Sequence, residues 1–281
     1  MALGCTPLLP EHVLAVPGEM AAESLDGTAG FGARLAWVQG ELAVAGDGAV
    51  HWGGESWVVD QVLAMWAGPE GPRIASPNGV WDLSQDRQLF SGPVVAAHGD
   101  GERFVVASQG ELIQGDQSRT VSGIGRVRMD GERVLLLRCS DQRCWVEIYE
   151  EGLDALELGP AGPSSALVFS KGNPVWGEPK KSEKLAKGAI RDSAGILQQG
   201  LEGEHLGQAI CGDFAAGEHN LRTMPNQSRV RSLSGGLELA FESGREGAAM
   251  TLACDDSYLA VGQPTWLEGG RVWVFELPLG R

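Results

Sequence analysis

The stretch from Gly247 to Leu277, GAAMTLACDDSYLAVGQPTWLEGGRVWVFEL, decides the fold. It reads as an apolar strand ending at Cys254, a turn at Asp255-Asp256, and a second strand, Tyr258-Leu259-Ala260-Val261-Gly262. A Gln263-Pro264 loop and a closing strand, Arg271 to Glu276, follow. A unit of this size buries little by itself, so its recurrence elsewhere in the chain is the first thing to seek.

Working back toward the N-terminus, the unit recurs. Its first copy runs from Gly30-Phe31-Gly32-Ala33-Arg34-Leu35-Ala36-Trp37 through Leu42-Ala43-Val44-Ala45-Gly46 to Ala49-Val50-His51-Trp52, with Asp47-Gly48 as a hairpin signal. A second has Arg73 to Ser76, the turn Pro77-Asn78-Gly79, and Val80 to Leu83. The third and fourth open with the same turn, Asp100-Gly101-Glu102-Arg103 and Asp130-Gly131-Glu132-Arg133, thirty residues apart and each leading into an apolar strand. A weaker fifth copy holds Ala166 to Phe169, Asn173 to Gly177 and Gly188 to Arg191, and a sixth runs from His205 to Leu233. Matched second strands begin near 42, 73, 104, 134, 173, 213 and 258.

No stretch keeps a 3.6-residue apolar period, and the best helical candidate, Lys180 to Lys187, is short and polar. Short strands in a repeat of thirty to forty-five residues select a β-propeller over a sandwich or barrel. The expectation is an all-β, seven-bladed β-propeller, with six blades as the alternative. Small residues on the second strands (Ala43, Ala45, Ala75, Ala107, Ala260) are assigned to the central channel. Aromatics on the third strands (Trp52, Trp81, Trp145, Trp273, Phe275) are assigned to the gaps between blades. The last unit ends at its third strand, so the ring needs a fourth from the N-terminus, and His12 to Val16 is assigned to close it. Residues 1–11 then read as a leader or tether, and 12–281 as one propeller domain.

Phe31-Gly32 followed by Leu42-Ala43-Val44-Ala45-Gly46 resembles an FG-GAP repeat, the blade unit of the integrin α-subunit propeller and of many bacterial envelope proteins. Leu259 to Pro264 with Gly270 to Phe275 is similar to its second half, and Leu206-Gly207-Gln208-Ala209 to a degraded first half. The resemblance implies a propeller that binds or adheres through loops on one face. The family's Asp-x-Asp-x-Asp-Gly calcium loop is missing, since Asp47, Asp100 and Asp255-Asp256 lack most of the oxygen ligands calcium requires. A more distant similarity, to the propeller of chromatin-condensation regulators, rests on His51-Trp52-Gly53 and Gly207-Gln208.

Charge and composition narrow the partner. A net charge of −15 opposes nucleic-acid binding, which needs a basic footprint, and adhesion to anionic lipid. No stretch approaches the roughly 18 continuous apolar residues of a membrane span. The 41 glycines are spread along the chain, as many tight turns require. The one basic patch, Lys180-Lys181-Ser182-Glu183-Lys184, reads as an exposed loop, with docking of an acidic partner as its functional reading.

The five cysteines divide by position. Ala2-Leu3-Gly4-Cys5 resembles the end of a bacterial lipoprotein signal, which makes Cys5 a candidate for lipidation. Cys139 and Cys144 flank a four-residue turn, a spacing that suits a cross-strand disulfide better than zinc. Cys211 and Cys254 each end the first strand of adjacent units, where a blade-to-blade disulfide and two buried free thiols are both open readings. Disulfides imply an oxidising envelope or extracellular location.

No catalytic, cofactor-binding or metal-ligating residue is assigned. His12, His51, His98, His205 and His219 share no metal spacing and read as turn or strand-edge residues. No nucleophile elbow, Walker loop or dinucleotide fingerprint occurs. The repeated Asp-Gly-Glu-Arg is a structural turn, because it recurs at matched positions. The expected function is therefore a non-enzymatic envelope or surface binding module with a protein or glycan partner. The alternatives are a propeller lyase or hydrolase with its site in the central channel, which an apolar channel mouth would exclude, and a structural subunit of a larger envelope assembly.

Overall fold

The computed structural model describes residues 13–15, 22–27, 30–46, 48–150, 154–179, 187–201, 204–219, 227–235, 237–242, 250–264 and 269–277. Cys5, His12, the tether at 1–11 and Lys180 to Lys184 lie outside them. Among the described residues every regular element is a strand. Two N-terminal strands, β1 (Val13–Ala15) and β2 (Ala22–Gly27), precede the first blade, which is β3 (Arg34–Val38), β4 (Glu41–Gly46), β5 (Ala49–Trp52) and β6 (Glu55–Val58). Blade 2 is β7 (Ala64–Ala67), β8 (Pro72–Ser76), β9 (Gly79–Asp82) and β10 (Arg87–Ser91). Blade 3 is β11 (Ala96–Asp100), β12 (Arg103–Ser108), β13 (Glu111–Gln114) and β14 (Gln117–Thr120). Blade 4 is β15 (Ile124–Asp130), β16 (Arg133–Cys139), β17 (Cys144–Tyr149) and β18 (Leu156–Ala161). Blade 5 is β19 (Leu167–Ser170), β20 (Asn173–Glu178), β21 (Ala189–Asp192) and β22 (Gly195–Gln199). Blade 6 is β23 (Ala209–Cys211), β24 (Phe214–His219), β25 (Gln227–Ser232) and β26 (Glu238–Glu242), and the last blade is β27 (Thr251–Cys254), β28 (Tyr258–Gln263) and β29 (Gly270–Glu276).

Each blade is an antiparallel sheet hydrogen-bonded in chain order, and there are seven. The second strands begin within two residues of the positions read from the repeat. The first strands touch one another in sequence around the ring, β27 returning to β3, so they surround the axis. The core is divided into seven seams, one between each pair of adjacent blades. The largest joins blades 6 and 7, where Phe214, Val230 and Leu239 meet Leu259, Trp273 and Phe275.

Two assignments change. Ala43, Ala45, Ala75, Ala107 and Ala260 do not line the channel; they are buried in the seams, because the first strand, not the second, is innermost. An N-terminal strand does close the ring, but it is β2, paired antiparallel with β29 from Ala22↔Phe275 to Gly27↔Gly270. The apolar segment around Val13 forms β1, which adds a fifth strand to blade 6 by pairing with β26. The outer strands explain the exchange. They lie against water, so Glu55–Val58 and Gln117–Thr120 are polar and exposed, and a closing strand reading AESLDG matches them better than VLA does.

The turns at Phe31-Gly32 and Leu206-Gly207 show why glycine recurs. Gly32 N and Ala33 N both donate to Ala45 O, and Gly207 N and Gln208 N both donate to Ala216 O in the same pattern. At these turns the backbone presses against a neighbouring blade. A Cβ on Gly262 would lie 2.3 Å from Gly32 O, and one on Gly177 2.0 Å from Gly207 O. Only glycine allows that approach.

Candidate functional site at the propeller axis

The hairpins joining first to second strands all project from one face. Asp100-Gly101-Glu102-Arg103 and Asp130-Gly131-Glu132-Arg133 are two of them, with Gly101 at φ +58° and Gly131 at φ +60°. Arg73, buried in an ion pair with Asp82 (3.0 Å), donates to Gly101 O (2.8 Å) and Glu102 O (3.0 Å). Arg133 donates to Gly172 O (2.7 Å) of the next blade while paired with Asp130. These turns are structural clips between blades. Asp255 is also committed locally, its Oδ1 accepting from Ser257 N (2.8 Å) and Tyr258 N (2.7 Å), so Asp255-Asp256 forms a hairpin turn.

Within this face a cavity of about 390 Å³ opens on the axis, walled by first-strand residues of all seven blades. Its lining mixes apolar groups (Leu35, Phe169, Ile210, Leu252) with Trp37, which stacks on Tyr258 at 5.3 Å between ring centroids. The polar part comes from blades 3 and 4: His98, Asp100, Arg128 and Asp130. Burial lowers the Arg128 pKa to about 10, against the opposing pull of Asp100 and Asp130. His98 lies well below its usual value, through burial first and then the charge of Arg128. His98 Nδ1 accepts from Met129 N (3.2 Å), so its proton is on Nε2 and the ring is neutral. With that lone pair engaged, His98 has no free basic nitrogen to accept a substrate proton.

The channel mouth is therefore polar on one side. Sequence reading places His98 among edge residues; the structure sets it in an innermost strand. The signal was present as Arg126-x-Arg128-x-Asp130, an alternation that puts three charges on one face of β15 while Val127 and Met129 enter the seam with blade 3.

A second concavity of about 490 Å³ lies across blades 2 to 4, lined by Phe90, Phe104, Ile113, Met129 and Tyr149 among others. Beside it, Glu147 is buried and fully engaged: Arg138 Nη1 donates to both its oxygens, Trp145 Nε1 to Oε1 (2.6 Å) and Tyr149 Oη to Oε2 (3.0 Å). Burial and this carboxylate raise the Tyr149 pKa. His51 bonds Ser56 (2.7 Å) on the outer side of blade 1, remote from the axis. Among the described residues no group of three or more His, Cys, Asp or Glu is placed to hold a metal.

The cysteines meet in two pairs. Cys139 and Cys144 are register partners closing the β16–β17 hairpin, with Cα atoms 4.0 Å apart and sulfurs 2.06 Å apart. Cys211 of β23 and Cys254 of β27 bridge the first strands of blades 6 and 7, with Cα atoms 5.8 Å apart.

Fold and channel together define a seven-bladed β-propeller. No family model matches the chain, and no curated protein matches it. Among solved structures, a chain in the crystal structure of the mitotic checkpoint complex matches over 99% of this chain and 98% of its own, at 13% identity and a TM-score of 0.57. The dihydro-heme d1 dehydrogenase NirN, in complex with DHE, matches over 87% of this chain and 63% of its own, at 13% identity and a TM-score of 0.51. At such identity the likeness shows the fold alone. One neighbour belongs to a multiprotein complex and the other is a dehydrogenase, so the fold is compatible with binding and with catalysis.

Proposed function

We propose that this protein is a non-enzymatic binding module of an oxidising compartment, the bacterial cell envelope or surface, which holds a protein or glycan partner on the face around the channel mouth. The observation that carries this reading is the commitment of the mouth's polar groups to the protein itself. His98 accepts from Met129 N, Asp100 from Gly131 N (3.4 Å), and Asp130 is paired with Arg133. What remains is a rigid, mixed apolar and charged surface, suited to recognition. Residues 12–281 form the binding domain in this reading.

The two disulfides support an oxidising compartment. The matched hydrogen bonds of Gly32 and Gly207 support kinship with FG-GAP blades. Lipidation of Cys5, with residues 1–11 as a tether, rests on the sequence Ala2-Leu3-Gly4-Cys5.

A photo-crosslinking residue placed at Asp100, on the mouth, is expected to capture a defined partner in native envelope extract. The same residue at Val58, on the outer rim and 92% exposed, is expected to capture none. Equal capture at both positions would refute the choice of face. For the anchor, Cys5→Ser expressed with the native leader should release the protein from the membrane fraction, and retention would discard lipidation.

The enzyme alternative keeps one observation in its favour. The mouth is not apolar, because His98, Arg128, Asp100 and Asp130 converge there. Hydrolase or lyase turnover abolished by Arg128→Gln, with the fold retained, would establish it over the binding reading.

A further inference from the structure

Charge is sorted along the axis. Among the seven first strands the carboxylates are Asp100 and Asp130, both at the hairpin end. At the opposite end stand Arg34 of β3 and Arg126 of β15. Arg34, Ala64, Ala96 and Arg126 each lie opposite a second-strand residue the same number of positions on (Ala45, Ala75, Ala107 and Leu137), so the four share one tier of the ring. Blades 2 and 3, which separate the two arginines, offer only methyl groups there.

Arg34 is set in place by the backbone. Arg34 Nε donates to Leu63 O (2.8 Å) and its Nη1 to Ala33 O (2.6 Å), which fixes the plane of the guanidinium. On β15 a β-bulge falls between Ile124 and Arg126, and Arg126 resumes the ladder opposite Leu137. Among the described residues, neither has a carboxylate within ion-pairing distance. Both side chains are exposed to solvent. Desolvation lowers the pKa of both, and the positive charge of Arg34 lowers that of Arg126 further.

Two like charges on one tier with no acid between them repel, and an anion bound there would relieve that repulsion. Guanidinium forks match phosphate and carboxylate oxygens in geometry. We infer that this end of the axial channel is a binding site for a small oxyanion, a phosphate- or carboxylate-bearing ligand held between Arg34 and Arg126. The inference is independent of the partner reading above, since it concerns the other end of the channel and a small ligand.

The test is calorimetric titration of the purified protein with inorganic phosphate and, separately, with succinate, at fixed ionic strength maintained with sodium chloride. Binding of at least one is expected, and whichever binds more tightly identifies the ligand's acid group. Arg126→Gln should weaken that binding by about tenfold or more, the scale of losing a charged hydrogen-bonding partner. Arg126→Gln should also melt no lower than the parent protein without the anion, because it relieves repulsion. Arg143→Gln, at an exposed ion pair with Glu157, should bind as the parent does. Arg34→Gln disturbs two backbone anchors, so Arg126→Gln is the deciding variant. Equal affinity in Arg126→Gln and the parent, or no binding of either anion by the parent at millimolar concentration, would overturn the site.

Discussion

Arg73 is 4% exposed and spans three partners: Asp82 in its own blade and the carbonyls of Gly101 and Glu102 in the next. Removing one member of a buried pair strands the other charge. Arg73→Met is therefore expected to lose about 3–5 kcal/mol in urea unfolding. The double variant Arg73→Met, Asp82→Leu should lose less than Arg73→Met alone, and a larger loss would contradict the account. His98 gives a pH signature. It stays neutral in the fold, whereas in the unfolded chain it takes up a proton near pH 6.5. Below that pH the unfolded state holds the extra proton, so stability falls as pH drops from about 6.5 to 5, by up to about 1.4 kcal/mol per unit. His98→Gln should flatten that segment of the stability curve. These residues were only partly legible in sequence. Asp-Gly-Glu-Arg reads correctly as a turn because it repeats. Arg34, Arg126 and His98 do not repeat, and which residues meet across an axis depends on register and on the number of blades between them.

Among the elements, the disulfides and the closing strand differ in what they tie together. Cys139–Cys144 closes a loop with a sequence separation of 5, worth about 2 kcal/mol in the chain-entropy account. Cys211–Cys254 spans a separation of 43 and joins two blades, worth about 4 kcal/mol. Paired Cys→Ala variants are expected to rank in that order by midpoint of denaturation, and the reverse order would show that native-state strain dominates. The blade strands were readable because alternation, tight turns and glycine recur at a steady interval. The closing strand was not, because an outer strand against water carries little apolar pattern. Leu25 on β2 is itself 43% exposed. Backbone pairing with β29 and the ion pair of Asp26 with Arg271 hold it instead.

For the whole molecule, a ring differs from a row of blades in having no free end, and the join falls where β2 meets β29. Removing residues 1–27 should leave β29 as an open edge. The expected result is a protein that self-associates in light scattering while keeping its β-sheet signal. A monomer of unchanged stability would count against β2 as the closing strand. Net charge spreads unevenly over this ring: the molecule carries −15 overall, yet the tier of Arg34 and Arg126 carries cations only. Sequence totals cannot show that reversal, since it arises when distant strands are brought around one axis.

The pairing of Asp26 with Arg271 spans 245 residues, and it sets an order of events during biosynthesis. While the ribosome is still making the propeller, β2 has no partner, because the strand it must join lies at the far end of the ring in sequence. The blades can form one after another, but the circle stays open until β29 has emerged. A circular permutant that places Ala22–Gly27 directly after Leu277 would turn the closing step into a local hairpin, and refolding is expected to be faster than for the parent chain.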